Sequence, residues 1–553
     1  MSRFNTRGTR PAVHSPVKST GETTRTHEGG TGHLRDAKSE LFLLALSNMV
    51  GADTFYEKGG DRDDRYTQLV RQLAVFDPAW TVGFLGWLRG EGNMRTASLV
   101  GAAEFVKARL DAGRGTGGLT GTSALETEQN GGYNRQAIRA VLQRADEPGE
   151  MLGYWTSKYG RRLPKPVKRG IADAVQRLYN ERSLLKYDTD SKGYRFGDVL
   201  ELVHASPRAP WQGDLFRYAI DRRHRNDAAI PAHMRILTSD VVLRHQARQS
   251  AEALLDSEAL HGAGMTWETT LSLAGDRVDK AKLWEALIPS MGLMALARNL
   301  RNFDEAGVSD EVAARICARF TDPEQVRKSR MFPFRWWAAY KHAPSLRWAH
   351  ALEQALGHSL ANVPRLKGRT LILVDRSPSM FPGYYFSTPN SSDITLAEQA
   401  AVFGSALALR AESPTLVEFG WTSQRLDVPK GGSVLKLIEK YGQIDGTDIP
   451  SAVKQHYDRH DRVVIVTDEQ TRPGWLPSNG WQRGGMRETA IDDLVPKTTP
   501  VYMWNMAGYK PGAMPSGTTG RHTFGGLTDH AFRLVPLLEA GRDANWPWMQ
   551  PAA

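Results

Sequence analysis

The hydrophobic period of this chain changes once, near Pro364–Arg369, and that change limits what the chain can fold into. Before it, from Ser39 to about Gly357, one amphipathic helical pattern follows another: Leu41–Leu46, Tyr66–Phe76, Trp80–Leu88, Ala97–Leu110, Val167–Tyr179, Leu283–Leu300 and Trp336–Tyr340. Within one of them Val167, Ile171, Val175 and Leu178 recur at helical spacing and turn Lys168, Arg169, Gln176 and Arg177 outward. Strand-like alternation is almost absent. A long series of helix pairs without a strict repeat reads as a diverged α-solenoid. After the change, apolar runs at Leu371–Val374, Thr415–Phe419, Val463–Val466 and Val501–Trp504 alternate with helical patterns near Leu396–Arg410, Val434–Lys440, Ile449–Tyr457 and Ala531–Leu538. Alternating β and α predicts a doubly wound parallel sheet.

A chain of 553 residues has room for two to four domains. No apolar run approaches the ~18 residues of a membrane span. Residues 1–38 are polar, rich in Thr, Gly and Arg, and lack the apolar core of a secretory signal. They read as a mobile basic arm, leaving a helical domain over 39–366 and an α/β domain over 367–553. The single cysteine, Cys317, excludes an internal disulfide framework and a multi-cysteine zinc site; it reads as a small buried hydrophobe in a reducing cytoplasm. The Gly-rich stretch Asp111–Tyr133 reads as a surface loop, because Gly113–Gly118 has no Lys-Ser/Thr and no preceding strand. Net charge is +10, unevenly spread: 18 Lys and Arg stand against 19 Asp and Glu from Arg369 onward, which leaves 53 against 42 before it. All the excess positive charge therefore lies in the helical part, and favours a polyanionic partner, nucleic acid before acidic membrane.

Three fragments of the C-terminal third fit one metal site: Asp375-Arg376-Ser377-Pro378-Ser379, Gly446-Thr447-Asp448 and Val466-Thr467-Asp468. Two of them end predicted strands, and open α/β sheets bind ligands at strand ends. Asp375 supplies negative charge, Ser377, Ser379 and Thr447 supply hydroxyls, and Asp468 acts directly or through water. This is an oxygen set for a hard divalent cation such as Mg2+. The alternative is a site that keeps the fold and holds no functional ion. Asp468-Glu469 resembles a hydrolytic pair, but a hydrolase gathers more carboxylates or histidines around its metal, and no nucleophile–base constellation is present; the chain does not read as an enzyme.

Four basic groups are candidates for phosphate. Arg161, Arg162, Lys165, Lys168 and Arg169 stand at a predicted helix start, where free N–H groups add to the positive field. Arg298, Arg301 and Asn302, with Asn299, share a helix whose apolar face is Leu293, Ala297 and Leu300. Arg222 and Arg223 precede His224 and Arg225, and Arg327, Lys328 and Arg330 precede Phe332, Phe334, Trp336 and Trp337, an interleaving suited to single-strand stacking. Against these stand plainer readings: a solvated charged face for the first, polar groups satisfying backbone at a repeat junction for the second, tryptophans in the core for the last. His204 reads as a structural histidine.

The metal fragments resemble the metal-ion-dependent adhesion site of a von Willebrand factor A domain. The helical part resembles the TROVE module of the Ro (SS-A) ribonucleoprotein autoantigen family. The stretches that carry this likeness are Met291–Asn302, Leu163–Arg169, Phe196–Leu200 with His204, and Lys328-Ser329-Arg330. Arg376 departs from the small or apolar residue usual at its position, which sets a cation close to the metal. The resemblance implies a ring-like solenoid of HEAT-like repeats followed by the A domain, in a monomer. It also implies a small structured non-coding RNA (Y RNA) on the outer surface, single-stranded ends of misfolded RNAs in a central hole, and an exoribonuclease, polynucleotide phosphorylase, as a partner. A metal-dependent protein-interaction scaffold is the alternative function.

Overall fold

The computed structural model describes residues 13–47, 51–113, 132–224, 228–361, 363–381, 394–429, 432–477, 486–526 and 534–549. The chain divides into two compact units: Met1–Leu69 with Thr321–His342 and Ala349–Ala553, and Val70–Phe320 with Ala343–Trp348. The Gly-rich loop expected over 111–133 falls largely outside the described residues.

The second unit is helical. Its helices bury one stripe each: Val167, Gly170, Ile171, Ala174 and Val175 of the Lys165–Leu178 helix are buried. They face the helix Gly132–Val141, where a side chain at Gly170 would meet Ile138 Cβ at 2.7 Å. Burying that stripe leaves Lys168 and Arg169 on the opposite side, as the spacing predicts. The long pattern Leu283–Leu300 is not one helix. Lys280–Leu287 gives way to a turn of 3-10 helix at Ile288–Ser290, then Leu293–Arg298, then Leu300–Ala306 after a break at Asn299. Pro289 and Gly292 interrupt the helical ladder, which periodicity alone does not register.

The first unit opens with two strands, β1 (Ser19–Arg25) and β2 (Thr31–Arg35), and is built on a six-stranded sheet. The strands of that sheet are β3 (Leu366–Asp375), β4 (Ala411–Phe419), β5 (Ser423–Leu426), β6 (Arg462–Thr467), β9 (Val501–Asn505) and β10 (Arg521–Gly525), in the order β10-β9-β6-β3-β4-β5. Between β6 and β9 in the chain, β7 (Gly474–Pro477) and β8 (Met486–Thr489) form an antiparallel pair of their own. All neighbours in the large sheet are parallel except β5, which returns antiparallel along β4. Leu371, Leu373, Val417, Val463, Ile465, Val501 and Met503 form one core with Ile449, Ala452 and Val453 of the Ile449–His456 helix. On the other face the buried helix Leu396–Arg410 lies so close that a Cβ at Gly404 would stand 2.4 Å from Val374. This helix begins with a reciprocal cap between Thr395 and Glu398. A mostly helical region followed by a doubly wound α/β domain is thus the architecture the sequence predicts. The short edge strands β5 and β10 are too polar or too short to announce themselves in the pattern.

Two assignments need correction. Of the segment read as a mobile basic arm over 1–38, the described residues, 13–38, are folded against the α/β part. There β1 and β2 form a hairpin, bridged through His33 to Gly512. The hairpin turn is fastened by Thr26 Oγ1 to the Thr471 carbonyl at 2.6 Å and by His27 N–H to Gln470 Oε1 at 3.0 Å. The following helix, Ala37–Ser47, buries Leu41 to Leu46 and joins the α/β unit, not a helical domain starting at 39. The hairpin escapes sequence reading because neither face is apolar; backbone pairing and a buried ion pair hold it instead.

Candidate metal centre and cationic faces

Parallel pairing puts the ends of β3 and β6 side by side, with Val374 opposite Val466, so Asp375 and Thr467-Asp468 emerge together. Thr447 comes from a loop drawn over the same edge: Asp448 N–H donates to the Gly420 carbonyl at 3.1 Å and Arg472 N–H to the Thr447 carbonyl at 2.9 Å. Gly446 turns that loop with φ +62°, and a Cβ there would lie 1.3 Å from the Trp421 indole nitrogen. Asp375, Ser377, Ser379, Thr447 and Asp468 are all at most 2 % exposed. The structure therefore brings together Asp375, Ser377, Ser379 and Asp468, with Thr447 buried on the adjoining loop.

Their hydrogen bonds leave room for a ligand. Asp375 Oδ1 accepts from Ser377 N–H at 2.9 Å and Oδ2 from Thr467 Oγ1 at 2.5 Å, while the Ser377 and Ser379 hydroxyls sit 3.2 Å apart. Asp468 Oδ1 accepts from Gln470 N–H at 3.0 Å, but its Oδ2 is buried without a hydrogen-bond partner. Such an atom is costly unless something positive reaches it. Burial pushes the Asp468 carboxyl up to about 7, with repulsion from Asp375 adding to it. Burial likewise pushes Asp375 up to about 6, although its hydrogen bonds oppose the rise. Two crowded carboxylates, two serine hydroxyls and a threonine fit a hard divalent cation, which would bind them ionised. Among the described residues no group of three or more His, Cys, Asp or Glu is arranged for a metal, so this site depends on few anionic ligands.

Arg376 stays clear of the candidate metal site. Its side chain takes the opposite side of the strand, where Nε donates to the Gly442 carbonyl and Nη1 to the Ala397 carbonyl, each at 2.6 Å, between the rings of Phe381 and Tyr441. Glu469 is no partner for Asp468 in hydrolysis. With φ +67° it turns away into a buried ion pair with Arg35 at 2.6 Å and also accepts from Asn505 Nδ2 and Ala513 N–H.

The predicted phosphate-binding residues separate by charge balance. Arg161, Arg162, Lys165 and Arg169 are exposed and Lys168 half-buried, and among the described residues none of the five has a carboxylate partner. The helix they introduce carries no acidic residue in its first turn. Arg298 and Arg301 are likewise exposed and unneutralised among the described residues. By contrast Arg222 pairs with Asp188, Arg223 with Asp198, and both Arg327 and Lys328 with Glu324. Asn299 is buried and donates to the Ala295 carbonyl, while Asn302 donates to Asn299; the break between their helices consumes both side chains. Arg330 ends its helix with φ +53°. Phe334, Trp336 and Trp337 are core residues and offer no stacking surface. His204 is an exposed residue with φ +53° that closes the Phe196–Val203 helix. Cys317 is half-buried, its Sγ 3.6 Å from the Arg347 carbonyl, instead of fully in the core.

Residues 260–346 match the model of the TROVE domain, and the described chain has a mostly helical region followed by an α/β part. In particular, it is similar to the crystal structure of the Deinococcus radiodurans RO (RSR) protein, with a TM-score of 0.59 and 16% sequence identity over 90% of this chain and 99% of that one. No helix among the described residues is long and apolar enough to cross a membrane.

Proposed function

We propose that this protein binds RNA without catalysing a reaction on it, as one component of a Ro-type ribonucleoprotein. The observation that carries this reading is the group Arg161, Arg162, Lys165, Lys168 and Arg169: five cations within nine residues, none neutralised by a described carboxylate, at the start of a helix. Cations gathered where helix N–H groups point outward have no local stabilising role, since the helix dipole opposes them. They suit phosphates. The ligands in this reading are a small structured non-coding RNA and the single-stranded ends of misfolded RNAs, bound through phosphate, ribose and unstacked bases. The exoribonuclease polynucleotide phosphorylase is a partner recruited through the bound RNA. The Asp375 site holds Mg2+ in the α/β part.

The decisive experiment is filter binding of a structured RNA with a single-stranded tail across a salt series. Lys165→Ala, Lys168→Ala and Arg169→Ala together are expected to weaken binding and flatten the log–log salt slope by about two to three, at ~0.7–0.9 for each phosphate no longer neutralised. An unchanged slope assigns the RNA elsewhere. The orphaned Asp468 Oδ2 supports a second reading, a metal-dependent scaffold that binds an acidic group of a protein partner. That reading requires partner capture abolished by Asp375→Ala and no RNA in gently purified protein.

A further inference from the structure

The helical unit carries a cleft beside the Arg161–Arg169 cations. Its volume is about 400 Å³, and Arg161 itself lines it, together with Asp146, Tyr179, Lys192 and Tyr194. One wall is the Glu147–Tyr159 helix, which contributes Gly149, Gly153 and Thr156. The other includes the segment that leads into the Phe196–Val203 helix. The two walls are fastened to each other. A Cβ at Gly149 would stand 2.7 Å from the Tyr194 carbonyl oxygen, and the Tyr194 hydroxyl donates to Thr156 Oγ1 at 2.9 Å. At Gly153 a Cβ would meet nothing nearer than the Tyr194 ring, 3.9 Å away, so the missing side chain leaves the cleft open there.

Tyr179 separates this space from an ordinary gap in packing. The residue is 2 % exposed, its ring is stacked on Phe196 at 3.7 Å, and its hydroxyl is buried without a hydrogen-bond partner. A hydroxyl withdrawn from water and left unpaired is destabilising, and phenylalanine would pack there without that cost. The acids of the lining are already engaged. Asp146 pairs with Arg144 at 2.6 Å and Arg95 at 3.1 Å, and Glu150 with Arg95 and with Lys192 at 3.4 Å. Arg161, exposed on the rim, has no carboxylate partner among the described residues. Tyr187 and Tyr194 line the cleft half-buried, so they offer aromatic surface. Aromatic surface, an unsatisfied hydroxyl and an unneutralised guanidinium match the three parts of a nucleotide: a π-face, a hydrogen-bonding edge and a phosphate. A stacked base pair cannot enter a cleft of this size, whereas one unstacked base can.

We infer that this cleft takes one unpaired nucleotide of the bound RNA, with its base against Tyr187 and Tyr194, a base atom accepting from the Tyr179 hydroxyl, and its phosphate on Arg161. The inference rests on the RNA reading above and deepens it. Lys165, Lys168 and Arg169 hold the phosphate chain whatever its sequence, and the cleft selects a place where a base is free to leave its stack. A free nucleoside monophosphate has the same chemistry and is the other source of such a ligand.

The test uses the full chain and filter binding of two RNA hairpins that differ only by a single bulged nucleotide, with UMP and AMP titrated alone by calorimetry. Wild type binds the bulged hairpin about ten-fold more tightly than the paired one, the scale of one stacked base. Tyr179→Phe loses about five-fold of that preference, the scale of one hydrogen bond, and melts no lower than wild type because the hydroxyl has no partner within the protein. Gly153→Leu fills the cleft and abolishes the preference. Neither variant changes the salt slope. Equal binding of the two hairpins by wild type, with the Lys165, Lys168 and Arg169 triple variant still flattening the slope, overturns the cleft and keeps the RNA reading. Equal binding of the hairpins together with UMP or AMP uptake that Tyr179→Phe weakens assigns the cleft to free nucleotides and overturns its role in RNA binding. A wild-type chain that binds neither hairpin in dilute buffer overturns both readings.

Discussion

At the scale of single residues the molecule places two kinds of buried carboxylate side by side in the chain. Glu469 is fully satisfied by Arg35, Asn505 and the Ala513 backbone, whereas Asp468 keeps an oxygen without a partner. Removing one member of a buried pair leaves the other charged and stranded, so Glu469→Ala is expected to lower stability in urea titration by about 3–5 kcal/mol. Asp468 and Asp375 act oppositely. Their folded carboxyls titrate higher than an unfolded aspartate, so the folded chain holds more protons between the ordinary carboxylate range and about pH 7. In metal-free protein their contribution is then greatest in acid and declines as pH rises through that window. Asp375→Asn is expected to flatten this decline in denaturation curves recorded with a chelator. Saturating Mg2+ is expected to reverse it in wild type alone, by about 2.7 kcal/mol at a hundred-fold excess over Kd.

At the scale of elements, the Lys165–Leu178 helix shows how a sequence pattern becomes a surface. Its apolar stripe packs on a neighbouring helix and leaves the cations outward without described carboxylate partners. Arg222 instead lies in a basic run at the end of its helix, and it pairs with the buried Asp188. Arg222→Ala is accordingly expected to leave the salt slope of RNA binding unchanged, in contrast with the Lys165, Lys168 and Arg169 triple variant measured alongside it. The Gly442–Asp448 loop offers a sharper case. Gly446→Ala forces a Cβ into the Trp421 indole and is expected to displace Thr447, weakening Mg2+ binding in calorimetry while the sheet remains intact by circular dichroism.

At the scale of the whole molecule, charge and chain order separate the tasks. The excess of positive charge lies before residue 369, and the oxygen-rich site lies after it. Yet the N-terminal 69 residues belong to the same compact unit as the C-terminal α/β part, so the molecule is not two consecutive blocks. Deleting residues 1–36 removes Arg35 and the hairpin. The expectation is a clear drop in melting temperature by calorimetry, where loss of a mobile arm would leave it unchanged.

What the sequence determined by itself follows from local periodicity. Apolar runs of strand length, such as Val463–Val466, and stripes at helical spacing, such as Val167, Ile171 and Val175, declare their elements because burial is decided by the period of the side chains. The five candidate metal residues could be picked out for the same reason, since their fragments lie at or beside strand ends. Tertiary structure alone decided which cations are neutralised, that Arg376 faces away from the candidate metal site, that Asn299 breaks a helix, and that residues 13–47 fold onto the last third. Each of these depends on a partner far away in the chain. The free energy of a charge or a hydrogen bond is set by that partner and by the water it excludes, neither of which a linear pattern records.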